Sequence, residues 1–79
     1  MPYYFFVWTP EIVEHVAEHD VTTEEFEEVV SNPEFEDVSR SSGNPVAFGY
    51  TSNGRYLCCV FRRIDQDMIE PVTAYEVGE

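Results

Sequence analysis

The chain has 79 residues, a formal net charge of −12 at pH 7 and no lysine, so its cations are Arg40, Arg55, Arg62 and Arg63, with His15 and His19. That length allows one small core and one domain over residues 1–79. The 43% hydrophobic content with twelve aromatics excludes a disordered chain, and no apolar run nears the roughly 18 residues of a membrane span.

Tyr3 to Trp8 is aromatic and β-branched and predicts a first strand, not the basic start of a leader. Thr9-Pro10 then predicts a helix start, with Thr9 as N-cap and Pro10 in the first helical position. Ile12, Val13 and Val16 form its apolar stripe, and it should end near His19-Asp20. A second helix follows at once. Thr22 and Glu25 have the spacing of a capping box, with Val21 and Phe26 as its hydrophobic staple. Phe26, Val29 and Val30 give the buried side, and Ser31-Asn32-Pro33 stops the helix. Glu24, Glu25, Glu27 and Glu28 make a solvated acidic face.

Glu34 to Ser39 predicts a strand, and Arg40 to Pro45 a polar loop. Val46 to Thr51 and Arg55 to Ile64 predict a hairpin closed by a type I′ turn at Asn53-Gly54. Asp65-Gln66-Asp67 turns the chain into a last strand, Met68 to Val77. The expected fold is therefore α+β, in the order β-α-α-β-β-β-β, with two N-terminal helices on one face of an antiparallel sheet.

A two-residue turn sets a register in which Ser52 faces Arg55. It puts Val46, Phe48 and Tyr50 with Leu57, Cys59 and Phe61 under the helices. The opposite face becomes a shallow floor of Gly49, Cys58, Ala47 and Val60, with Tyr56 at one end and Arg62 at the other. Such a floor suits a ligand or another protein chain, or is an ordinary exposed sheet face, and a homodimer is among the assemblies open to the chain. Glu70 lands opposite Arg62 or Arg63, so one of the few arginines is expected in a cross-strand ion pair.

The histidines share a helix face at i, i+4, but the Glu that a metalloprotease helix needs directly after its first His is absent. A structural role is the simpler reading, and no metal or cofactor is expected. Cys58 and Cys59 are adjacent and should point to opposite faces of a strand, unbonded, as in a reducing cytosol. Arg40 precedes Ser41-Ser42-Gly43, a loop able to hold a phosphate or carboxylate.

The order of these pieces resembles that of BrnT-type toxins of type II toxin–antitoxin systems. Trp8, His19-Asp20-Val21, Glu25, Val29 and Asn32-Pro33 are similar to the family's amino-terminal half. Arg40, Gly49, Gly54-Arg55 and Leu57 are similar to its middle, and Val72-Thr73-Ala74-Tyr75 stands at its Ile-Ser-Ala-Arg stretch. The resemblance implies a RelE/ParE-like fold and a bacterial, cytoplasmic endoribonuclease that needs no metal or cofactor. It also implies an RNA substrate and a cognate antitoxin as partner. Arg40 and Arg55 inherit the family's cationic roles, and the hairpin register adds Tyr56 and Arg62 to the catalytic set. In such a reaction the RNA's own 2′-hydroxyl attacks the adjacent phosphorus, while the protein orients it and stabilises charge.

The chain departs from the family where charge matters. Its first helix carries Glu11, Glu14 and Glu18 in place of lysines, Asp20 replaces a glycine, and Tyr75 replaces an arginine. Each change makes the surface less welcoming to a polyanion. An acidic binding module on the same fold, built for a basic protein partner, is the alternative reading.

Overall fold

The computed structural model describes residues 4–40 and 42–77. Tyr3 of the expected first strand and Ser41 of the Arg40 loop lie outside the described residues. The elements run β1 (Phe5–Phe6), α1 (Pro10–Glu18), α2 (Thr23–Ser31), β2 (Phe35–Val38), β3 (Pro45–Tyr50), β4 (Tyr56–Arg63) and β5 (Met68–Glu76). The α+β class and the element order match the sequence reading.

Both helices begin where their caps predict. Thr9 Oγ1 accepts from the Ile12 N–H at 3.3 Å, and Pro10 fills the first turn, where no N–H is needed. Thr22 and Glu25 close a reciprocal capping box, each bond 3.1 Å long. Between the helices the chain makes a tight reversal. The Val21 N–H donates to Val16 O and the Asp20 N–H to Ala17 O, both at 3.0 Å, as in a Schellman C-cap. Asp20 sits in the left-handed region at φ 61°, where glycine is usual. Val16 and Val21 meet in the core below it.

The sheet order is β1-β5-β4-β3-β2. The expectation of an antiparallel sheet is corrected at one edge, because β1 pairs parallel to β5, making the sheet mixed. The physical reason is the crossover. The two helices return the chain over one face, and β1 ends up beside the last strand running in the same direction. A bulge between Val60 and Phe61 shifts the β4–β5 register beside Pro71, which has no N–H to give to a ladder.

The β3–β4 register is the second correction. Gly49 faces Leu57, Phe48 faces Cys58 and Tyr50 faces Tyr56, one residue off the expected pairing. The turn is the cause. The Thr51 N–H donates to Arg55 O at 2.8 Å, the Gly54 N–H to Thr51 O at 2.9 Å, and only Gly54 takes a positive φ, at 84°. This is a three-residue loop, Ser52 to Gly54, ending in a left-handed glycine, not a type I′ turn. A one-residue slip inverts a strand. Ala47 and Gly49, not Phe48 and Tyr50, therefore lie under the helices.

α2 needs that smallness. A Cβ built on Gly49 would come 3.3 Å from Val29 Cγ1. The core is the layer between helices and sheet: Val16, Phe26 and Val29 above, Leu57, Cys59, Phe61 and Ile69 below. Trp8 closes one side, its ring centroid 5.3 Å from that of Phe26 and its Nε1–H donating to Glu27 at 2.7 Å. Among the described residues no helix is long and apolar enough to cross a membrane.

Candidate functional site: an uncovered aromatic sheet face

With both helices on one side, no layer of the described residues lies over the other side of the sheet. The corrected register decides what it displays. Side chains alternate along a strand, so Val46, Phe48 and Tyr50 share this face with Tyr56, Cys58 and Val60. Phe35 on β2 sits opposite Phe48, and Tyr75 on β5 opposite Cys58. The expected floor of small residues is thus replaced by an aromatic one. Phe48 and Tyr56 stack with centroids 6.3 Å apart and planes 20° from parallel. Tyr50 lies 4.6 Å from Tyr56, and Phe35 5.8 Å from Phe48. Phe35, Tyr50 and Tyr75 remain 55%, 56% and 44% exposed. Singly exposed apolar residues mean little, but a contiguous set on one face marks an interaction surface.

Beside the stack lies a shallow cavity of about 200 Å³, with Val46, Phe48 and Val60 in its walls, Cys58 and Tyr75 on one side and Asp37 on the other. The Cys58 thiol, facing Tyr75 across the β4–β5 pair, raises the tyrosine's pKa. Burial pushes the Cys58 thiol up as well. Cys59, on the core side, is pushed up more strongly, by burial first and then by the neighbouring thiol and Glu25. Both cysteines are buried and free, as expected, and neither is a thiolate at neutral pH.

The four residues expected to form a catalytic set are not brought together. Arg55 and Arg62 sit at opposite ends of β4, seven positions apart, or roughly 23 Å at the rise of a strand. Arg55 points to the helices. It donates to Asp20 O at 2.7 Å and pairs with Glu25 at 3.1 Å and Glu76 at 3.3 Å. Desolvation pulls its pKa down, but the two carboxylates outweigh that and the net direction is up. Tyr56 follows Arg55 and so lies on the opposite face. Desolvation, then Glu34 and Tyr50, raise the Tyr56 pKa, so its hydroxyl stays protonated near neutrality and is no ready proton acceptor. Arg62 is paired with Glu70 at 3.1 Å, the cross-strand bridge the sequence anticipated. Arg40 is exposed in the β2–β3 loop, and among the described residues it forms no ion pair.

Arg63 is exposed and lies over two rings, its guanidinium 5.6 Å from the Tyr4 ring centroid and 6.0 Å from that of Phe61. The histidines act structurally. His15 Nε2 is 3.0 Å from Thr73 Oγ1, which ties α1 to β5, and the His19 ring stacks edge-on against it. Among the described residues no group of three or more His, Cys, Asp or Glu side chains is placed to hold a metal ion.

Sequence reasoning missed Phe35, Asp37, Phe48, Tyr50 and Tyr75 as surface-forming residues. One signal was present: Ala47 and Gly49 are the small residues of β3, and small residues belong where a helix packs closely. No family model matches this chain, and neither a curated protein nor a solved structure matches it.

Proposed function

We propose that this protein is a non-catalytic binding module that takes a basic protein partner on its open sheet face. The observation that carries the reading is that face: five aromatic residues with no layer of the described residues over them, on a chain of net charge −12. The arginines do not offset it. Arg55, Arg62 and Arg63 are occupied by Glu25 and Glu76, by Glu70, and by aromatic rings. An aromatic centre with an acidic surround suits a partner that brings apolar anchors within a positive rim. The unpaired cysteines fit a reducing, cytosolic setting.

A toxin-like endoribonuclease on a RelE/ParE-like arrangement is the second reading. In its favour stand the element order and the stacked Phe48–Tyr56 pair, on which nucleobases could lie. Against it stands the occupied state of its cations, since a phosphate would have to displace a carboxylate from Arg55 or Arg62. In this reading a cognate antitoxin is the partner; a homodimer on the same face is the third assembly the surface allows.

Expression in a bacterial host, with growth and RNA integrity followed together, separates the two. The binding-module reading expects unaffected growth and intact RNA. Growth arrest with RNA cleavage that Arg40→Ala abolishes would establish the ribonuclease instead.

A further inference from the structure

We propose that the cavity between Asp37 and Tyr75 is a recognition pocket for one basic side chain, a lysine or arginine presented by an extended segment of the partner. The inference rests on the basic-partner reading above and names the group that the partner inserts.

Size comes first. At about 200 Å³ the cavity is smaller than the roughly 300–1,000 Å³ of small-molecule sites. It has room for one long side chain and no more. Its walls come second. Val46, Phe48 and Val60 are apolar, which suits a methylene stem, the part of Lys and Arg that packs on hydrocarbon. The Phe48 and Tyr75 rings border the same space and favour a cation near their faces.

Charge decides the class of ligand. Asp37 is the one full charge in the described lining, and among the described residues it has no cationic partner. Its Oδ1 accepts the Val38 N–H at 2.7 Å, which fixes the carboxylate at the rim. Asp37 faces Val46 directly in the β2–β3 register, so its side chain stands on the same face as the cavity. Arg62, the cation on this face of β4, is held by Glu70 and does not neutralise it. An anionic ligand would meet the Asp37 carboxylate on a chain of net charge −12, and a neutral one would leave that carboxylate without a counter-charge.

The backbone supplies a way to present the side chain. β2 is the edge strand of the sheet, four residues long and exposed throughout. Its outward backbone groups, apart from the Val38 N–H that Asp37 already holds, can pair with an extended segment. Glu36 and Asp37 on that edge favour a segment carrying positive charge.

The test is an amide-resolved titration of the ¹⁵N-labelled full chain with Nα-acetyl-lysine methylamide. Its counterpart carrying a neutral, acetylated side chain is titrated alongside. The pocket predicts shifts clustered at Asp37, Val38, Cys58, Val60 and Tyr75, and at least fivefold weaker binding of the neutral counterpart. Asp37→Asn should weaken the lysine probe by at least fivefold, its spectrum showing the fold intact, and Glu14→Gln on the exposed side of α1 should bind like the wild type. Equal binding of the charged and neutral probes, or no shift at those amides, overturns the pocket. Shifts confined to the acidic faces of α1 and α2 overturn it while leaving a basic partner in place. Stronger shifts at these amides from uridine monophosphate overturn both the pocket and the basic-partner reading.

Discussion

Arg55 and Glu25 are joined at 3.1 Å across two elements that are distant in sequence, and Glu25 does two jobs at once. Its carboxylate closes the capping box of α2 on the Thr22 N–H, and it accepts from the Arg55 guanidinium. Arg55 in turn reaches the Asp20 carbonyl in the α1–α2 reversal and Glu76 at the end of β5. One guanidinium thus fastens the helix pair to two strands. Its contacts are those of a clamp.

The clamp predicts a stability effect. Arg55→Ala removes charge-assisted bonds at a half-buried position and leaves Glu25 with only its cap. The expected cost is about 2 kcal/mol, read as a lower midpoint in urea. Arg55→Lys should recover part of it, because an ammonium lacks the fork that serves three acceptors. A variant as stable as the wild type would show that the clamp contributes nothing.

The left-handed Asp20 predicts a gain. Its φ of 61° is strained for a residue with a Cβ, and the Schellman bonds use only backbone atoms. Asp20→Gly keeps the carbonyl that Arg55 needs and should stabilise the chain by about 0.5–1 kcal/mol. Thermal unfolding measures it, as a rise in Tm.

The buried thiols predict an alkaline limit. Cys58, Cys59, Tyr56 and Tyr75 all have folded pKa values raised above their ordinary ones. A raised acid keeps its proton in the folded state after the unfolded chain has lost it. The folded state then holds more protons, and stability falls as pH rises. For the Cys59 thiol the stabilisation is complete below the unfolded range, near pH 8.5, and declines above it by about 1.4 kcal/mol per pH unit, while the tyrosines add to the fall only above their own ordinary range, near pH 10. Urea midpoints between pH 7 and 10.5 should fall, and Cys59→Ala should flatten the slope.

The caps, the element order and the Arg62–Glu70 bridge were legible in the sequence because each is local or set by a short hairpin. Thr9-Pro10 and the Thr22–Glu25 box work within one turn. The face of β3 was not legible. Asn53-Gly54 chemistry serves a two-residue turn and a three-residue one alike, and the two differ by one residue of register. That single residue moves Phe48 and Tyr50 from core to surface and creates the aromatic face. The Arg55 clamp was hidden for another reason. Its partners Asp20, Glu25 and Glu76 come from three separate segments, and no spacing in the chain announces their meeting.

The β3–β4 turn predicts two unequal substitutions. Gly54 holds φ at 84°, and no atom would obstruct a Cβ there. Gly54→Ala should therefore cost about 1 kcal/mol from backbone strain alone. A type I′ turn would also need a positive φ at position 53, which Asn53 does not adopt. Asn53→Ala should accordingly be close to neutral in a urea titration, whereas a type I′ turn would make it costly.

The most direct measurement of the central claim is the affinity of a fluorescent peptide, rich in Lys and Arg with interspersed Leu, for face variants. Tyr50→Glu alters the open face, and Glu14→Gln removes one charge from α1 on the other side. Binding on the open face should be salt-sensitive, reduced at least tenfold by Tyr50→Glu and left within twofold by Glu14→Gln. Equal losses from both substitutions would reduce the interaction to net charge and contradict the claim that the open sheet face is the site.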